Sequence, residues 1–197
     1  MKFGIGKLDE MLGEIKMGSV ILIEGVGDIP LILSKKFLKN ATEMGLNVFA
    51  MVPERIERLL SDLNVRIIES SEYTCYELFT ISLTIKRIEE RVGLIMIFQQ
   101  LLLIHELGKV YSLLREVCQH VRESSGVVIV TIDKRLADER TLAVFESEAD
   151  YVIDVEERIE GLSVRRGIRV KKSVENLPSE FYELKMNDEI HIGDVID

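Results

Sequence analysis

Two glycines one residue apart, Gly25 and Gly27, sit between an apolar run and a helical one in "VILIEGVGDIPLILSKKFL", residues 20–38. That is the layout of a phosphate-binding loop, in which backbone N–H groups and a helix N-terminus cradle an anion. A working loop reads Gly, four residues, then Gly-Lys-Ser/Thr. The lysine reaches the outer phosphates and the hydroxyl holds Mg²⁺. At that spacing the four fixed positions hold Glu24, Ile29, Pro30 and Leu31. Pro30 removes both an ammonium and a backbone donor. Leu31 offers a metal no oxygen, and Asp28 and Glu24 add negative charge where a polyanion would sit. Gly25 and Gly27 keep the flexible part of the loop. The residues predict a phosphate-loop scaffold without its chemistry, and hence no nucleotide or other cofactor.

Other reactive residues form no recognisable constellation. His105, His120 and His191 are scattered, and Cys118-x-His120 supplies two ligands where a zinc site wants three or four. Cys75 and Cys118 are the only cysteines, which suits free thiols in a reducing cytosol better than a disulfide framework. The concentrated basic feature is "VRRGIRVKK", residues 164–172. On a regular strand Arg165, Arg169 and Lys171 share one face, while Arg166, Ile168, Val170 and Lys172 share the other. Such a strand is either a charged edge that resists aggregation or a contact surface for an acidic partner or a neighbouring subunit.

The elements that must position these residues alternate between strand and helix. Strands are predicted at 20–24, 47–52, 65–70, 93–98 and 126–132, the last two nearly continuous apolar runs, as fully covered strands are. Helices are predicted at about 30–44, with Asp28 or Ile29 as cap and Gly45 as stop, at 54–63, at 75–92 with Gly93 as stop, and at 107–125. This rhythm implies an α/β fold, a mostly parallel sheet with helices on both faces. Residues 150–173 then change period and form a hairpin turning near Glu160-Gly161. Two more short strands, 180–186 and 189–195, add antiparallel strands at the sheet edge. No linker or internal repeat interrupts the chain. It is expected to be one domain, 1–197, with 150–197 an extension of the same sheet.

Composition narrows the function classes. The 197 residues are 47% hydrophobic and 30% charged, with a net charge of -9. That balance weighs against nucleic-acid binding through bulk charge. The N-terminus has no apolar signal segment, and the longest apolar run, 92–98, is far too short to span a bilayer. The expectation is a cytoplasmic protein without a membrane partner.

The segment "FGIGKLDEMLGEIKMGSVILIEGVG", residues 3–27, resembles the opening of the KaiC-like branch of the RecA-superfamily ATPases. Gly4, Ile5, Leu8, Asp9, Leu12, Gly13, Gly18 and Ser19 match that pattern, with Met11 replacing one leucine. "SEADYVIDVEERIEGLSVRRGIRVKKS", residues 147–173, looks like the family's C-terminal hairpin. The resemblance implies a RecA-like three-layer fold. It also assigns further positions, and most are altered. The strand-end Asp that orients Mg²⁺ becomes Phe98, followed by Gln99, and the paired acids after the second strand become Glu54-Arg55. At the hairpin, Lys172 matches a Lys-x-Arg pair whose Arg position is Val174. With both Walker motifs degraded, the resemblance implies an inactivated member with no catalytic residues. Such a member would act in regulation or signalling through protein contacts, as an archaeal ring-like homo-oligomer or beside an active KaiC-like paralogue, with Arg165, Arg169, Lys171 and Lys172 as contact residues. Two alternatives are a residual ATPase drawing on Lys35 or Lys36, and a recombinase-like nucleic-acid binder.

Overall fold

The apolar run after Gly18 becomes β1 (Ser19–Gly25), buried at all seven positions. It lies between β5 (Val127–Asp133) and β6 (Tyr151–Glu160) and runs parallel to both. Beyond β5 come β4 (Val92–Ile95), β2 (Val48–Met51) and β3 (Val65–Ile67), all parallel. Beyond β6 come β7 (Ser163–Lys172), β8 (Tyr182–Met186) and β9 (Ile190–Val195), each antiparallel to its neighbour. The sheet order is β3-β2-β4-β5-β1-β6-β7-β8-β9, so the chain forms the expected mostly parallel sheet with antiparallel strands at its C-terminal edge. This computed structural model describes residues 1–69, 71, 73–161, 163–186 and 189–196. Ser70, the expected end of the third strand, lies outside them.

Strand alternation sends side chains to two cores. Ile21, Ile23, Ile129 and Ile153 face α1 (Gly6–Leu12), α2 (Ile29–Glu43) and the single turn α3 (Glu54–Glu57). Val20, Leu22, Val128 and Val130 face α4 (Leu78–Lys86), α5 (Phe98–Ile104), α6 (Leu107–Glu123) and α7 (Glu139–Glu148). Helices therefore cover both faces. α2 ends as predicted, with Gly45 at φ 79° and Leu46 N–H reaching Ala41 O, a Schellman stop. Within residues 3–27, Asp9 accepts from Phe3 N–H (2.5 Å) and Gly4 N–H (3.2 Å). That clasps the segment on itself beside the sheet.

The boundaries differ where apolar spacing misleads. The helix expected over 75–92 is only α4; Ile88 and Val92 have helical spacing, yet Ile88 packs from a loop and Val92 opens β4. Gly93 is not a helix stop but a strand residue opposite Phe49, where a Cβ would come 2.2 Å from the phenyl ring. The strand expected over 93–98 ends at Ile95, and Phe98 instead begins α5. The helix expected over 54–63 is α3 followed by a 3-10 turn, Arg58–Leu60. Neither α1, α5 nor α7 is read from periodicity, because each is too short to show a clear helical repeat.

The Phe49–Gly93 contact gives a direct test. Gly93→Ala should destabilise the protein by about 1–3 kcal/mol through overpacking. In urea denaturation the added Phe49→Leu change should recover part of that loss, because the two sites share one contact.

Candidate functional site

The loop that carries Gly27 joins β1 to α2, and the chain's own residues fill it. Gly27, at φ 62°, donates its N–H to Asp133 Oδ2 at 3.3 Å. Asp133 ends β5 and is clamped by Arg135, with Nε to Oδ1 at 3.0 Å and Nη2 to Oδ2 at 2.6 Å. Burial alone would raise the Asp133 pKa, but hydrogen bonds from the Arg135 side chain and backbone hold it below the ordinary carboxylate range. Lys134 N–H closes the loop from the other side by donating to Gly25 O at 2.9 Å. Pro30 is buried with its ring against Gly25, where any Cβ would come 2.9 Å from Pro30 Cγ. Leu31 is 3% exposed and belongs to the α2 core. Asp28 is exposed at the helix N-terminus and its side chain makes no capping bond.

Glu24 takes no part in the loop. Alternation from Val20 and Leu22 turns its side chain to the opposite face of the sheet, where it is fully buried. There it meets Lys171 Nζ at 3.3 Å, which also binds Glu146 of α7 at 2.5 Å. Its register partner on β6 is Asp154, 1% exposed, held by Lys134 at 2.6 Å and Arg169 at 2.9 Å. Burial raises the Glu24 pKa to about 7 against the pull of Lys171, and Glu146 and Asp154 push the same way. Burial would lower Lys171, but Glu146 and Glu24 lift it instead.

This cluster changes the reading of the basic strand. Arg169 and Lys171 do share a face, but they point into the protein, and Arg169 also stacks on Phe181 with 4.4 Å to the ring centroid. Lys172 departs from the expected alternation. A bulge opposite Val152 and Ile153 makes Lys171 the extra residue, so Lys172 leaves the face of Ile168 and Val170. It donates to Glu146 O (3.2 Å) and Ala149 O (2.6 Å) at the C-terminus of α7, where a cation suits the helix dipole. Arg165 lies exposed near the hairpin tip, beside exposed Ile159 and Val164. Sequence reasoning missed Asp133, Lys134, Glu146 and Asp154. The signal was present in part, since "TIDKR" sets three charges at the end of an apolar strand.

The remaining positions lie apart. Phe98 is fully buried and meets Phe145 edge-on at 5.4 Å, on the α7 side. Gln99 Oε1 accepts from Asp133 N–H at 3.1 Å. Lys35 turns away to Asp62 (2.7 Å) and Leu59 O (2.7 Å), and Lys36 is exposed on α2. Between the loop and the ends of β2, β4 and β5 lies a cavity of about 180 Å³, lined among others by Gly27, Arg55, Met96 and Thr131. Among the described residues no helix is long and apolar enough to cross a membrane.

The buried carboxyl makes stability depend on pH. The folded-state pKa of Glu24 lies above its ordinary 4.5. The folded protein therefore keeps this proton between about 4.5 and about 7, where the unfolded chain has released it. The contribution is fully present below that window and falls as pH rises through it, by on the order of 3 kcal/mol. Glu24→Gln should flatten this slope. Urea midpoints at about pH 5 and about pH 8 measure it, and an unchanged slope would place the proton elsewhere.

No protein-family model matches the sequence, and no curated protein is recognisably similar to it. Solved structures do match. A KaiC-like protein from the hyperthermophilic archaeon Pyrococcus horikoshii superposes with a TM-score of 0.76 at 20% identity, covering 97% of each chain. The flagellar accessory protein FlaH from Methanocaldococcus jannaschii gives 0.70 at 14% identity, covering 94% of each. At such identities the likeness speaks for the fold: the chain has the RecA-like fold of the KaiC-like proteins.

Proposed function

We propose that this chain is a non-catalytic RecA-fold subunit of the KaiC-like type, acting in regulation or signalling through protein contacts. One observation carries the reading. The loop N–H that would hold phosphate is taken by Asp133, whose charge is neutralised by Arg135. An entering triphosphate would have to displace a carboxylate already paired within the chain, without a lysine at Pro30 or a metal ligand at Leu31 to compensate. Of the two lysines on which the residual-ATPase alternative draws, Lys35 is engaged by Asp62 and Lys36 lies exposed on α2. An accessory role such as the FlaH name describes, in an archaeal cytoplasm, fits a subunit that keeps the fold for its surfaces.

Calorimetry with ATP and Mg²⁺ tests this. Binding weaker than about 100 μM, roughly -5.5 kcal/mol, and no phosphate release are expected. Tighter saturable binding would overturn the reading.

The contact surface we assign is the tip of the β6–β7 hairpin, where Ile159 and Val164 are cross-strand partners and 80% and 47% exposed, with Arg165 beside them. Self-association in a ring, or docking on an active KaiC-like paralogue, would cover this apolar tip. Changing Ile159 and Val164 to Ser and Arg165 to Glu should abolish association in light scattering and in pull-downs from the native host. Stability should move by no more than about 0.5 kcal/mol. Reversing Arg169 and Lys171 should instead unfold the protein, because each change sets a like charge against a buried carboxylate, Asp154 or Glu24. Intact association in the tip variant would remove the hairpin from the account.

A further inference from the structure

The cavity beside the loop is bounded by Gly27 after β1, Pro53 after β2, Met96 after β4 and Asp133 at the end of β5. Open α/β sheets bind ligands in the crevice at the carboxyl ends of their strands. Its lining does not suit a nucleotide. Pro30, Ile56, Met96, Leu103 and Leu136 make most of the wall apolar, and a polyphosphate would find few donors there.

We propose that this cavity binds a small monocarboxylate with an apolar body, held by Arg55. At about 180 Å³ it is close in size to cavities that accept one benzene ring, so the ligand has roughly six to ten non-hydrogen atoms. Three polar groups are left for it. Arg55 is exposed at the rim, and no carboxylate among the described residues pairs with its guanidinium. A guanidinium fork matches one carboxylate in bidentate fashion. The second is Thr131, 3% exposed on the cavity wall, whose hydroxyl has no hydrogen-bond partner among the described residues. Asp133, the carboxylate lining the cavity, does not repel an anion, because Arg135 neutralises it at 2.6 Å. The third polar group is the amide Nε2 of Gln99, buried and without a partner among the described residues; the site thus joins one unmatched cation, one unmatched hydroxyl and one unmatched amide to largely apolar walls. This is independent of the hairpin contact and of whether the subunit is partnered.

The test uses the intact protein with benzoate as probe and benzamide as its uncharged counterpart, followed by calorimetry and ligand-observed NMR. Benzoate should bind saturably with a dissociation constant of about 1 mM or tighter, and more tightly than benzamide. Arg55→Gln should weaken benzoate by about tenfold or more while leaving benzamide within about twofold. Thr131→Val, which keeps the side-chain shape, should weaken both by roughly threefold. Circular dichroism melts identify any variant that fails to fold; Arg55 is exposed, so its substitution reads out binding. Absence of saturable benzoate binding at about 10 mM, benzamide binding as tightly as benzoate, or benzoate affinity unchanged by Arg55→Gln would each overturn the proposal.

Discussion

Glu24 and Asp154 lie side by side where the pairing of β1 with β6 ends, and neither reaches water to any useful extent. Two carboxyl groups in that position are tolerable only if cations or a shared proton accompany them. The cations come from separate parts of the chain: Lys171 and Arg169 from β7, and Lys134 from the end of β5. Much of the molecule's arrangement at this end of the sheet follows. The hairpin must lie on β6 in the one register that delivers both β7 cations. The bulge at Lys171 lets two successive lysines reach α7, one through Glu146 and the other through the helix's terminal carbonyls.

The same network reaches the loop between β1 and α2. Lys134, whose side chain binds Asp154, donates its backbone N–H to Gly25 O in that loop. Its neighbours Asp133 and Arg135 then fall beside Gly27. The Gly27 N–H is thereby supplied with an internal carboxylate, already paired. The Pro30 ring packed on Gly25 closes the arrangement from the helix side.

Much of this was legible in the chain. The buried strands, the stop of α2 at Gly45, the hairpin turn at Gly161 and the parallel-then-antiparallel order all follow from local periodicity and turn chemistry. What residues 24–31 cannot supply is visible because they are close in the chain and each residue's incapacity is intrinsic: proline lacks an N–H in any fold. Failures cluster where one residue serves two patterns. Gly93 reads as a helix stop because glycine ends helices, yet it is small because Phe49 lies over it. Phe98 reads as a strand residue because it extends an apolar run, yet it opens a helix whose core partner, Phe145, is distant in sequence.

The amino-acid sequence by itself determined the fold class, the strand order's general character and the lack of a lysine and a hydroxyl at residues 30 and 31. These depend on residue identity and short-range spacing. Tertiary structure alone decided where the charges go. Alternation could place Arg169 and Lys171 on one face, but not say that the face looks inward, nor that a bulge would bring Lys172 to α7. It could not show that Glu24 turns away from the loop, or that Asp133, more than a hundred residues downstream, takes the loop's N–H. Charge pairing is a long-range choice among many possible partners, and only the packed sheet brings the selected ones within bonding distance.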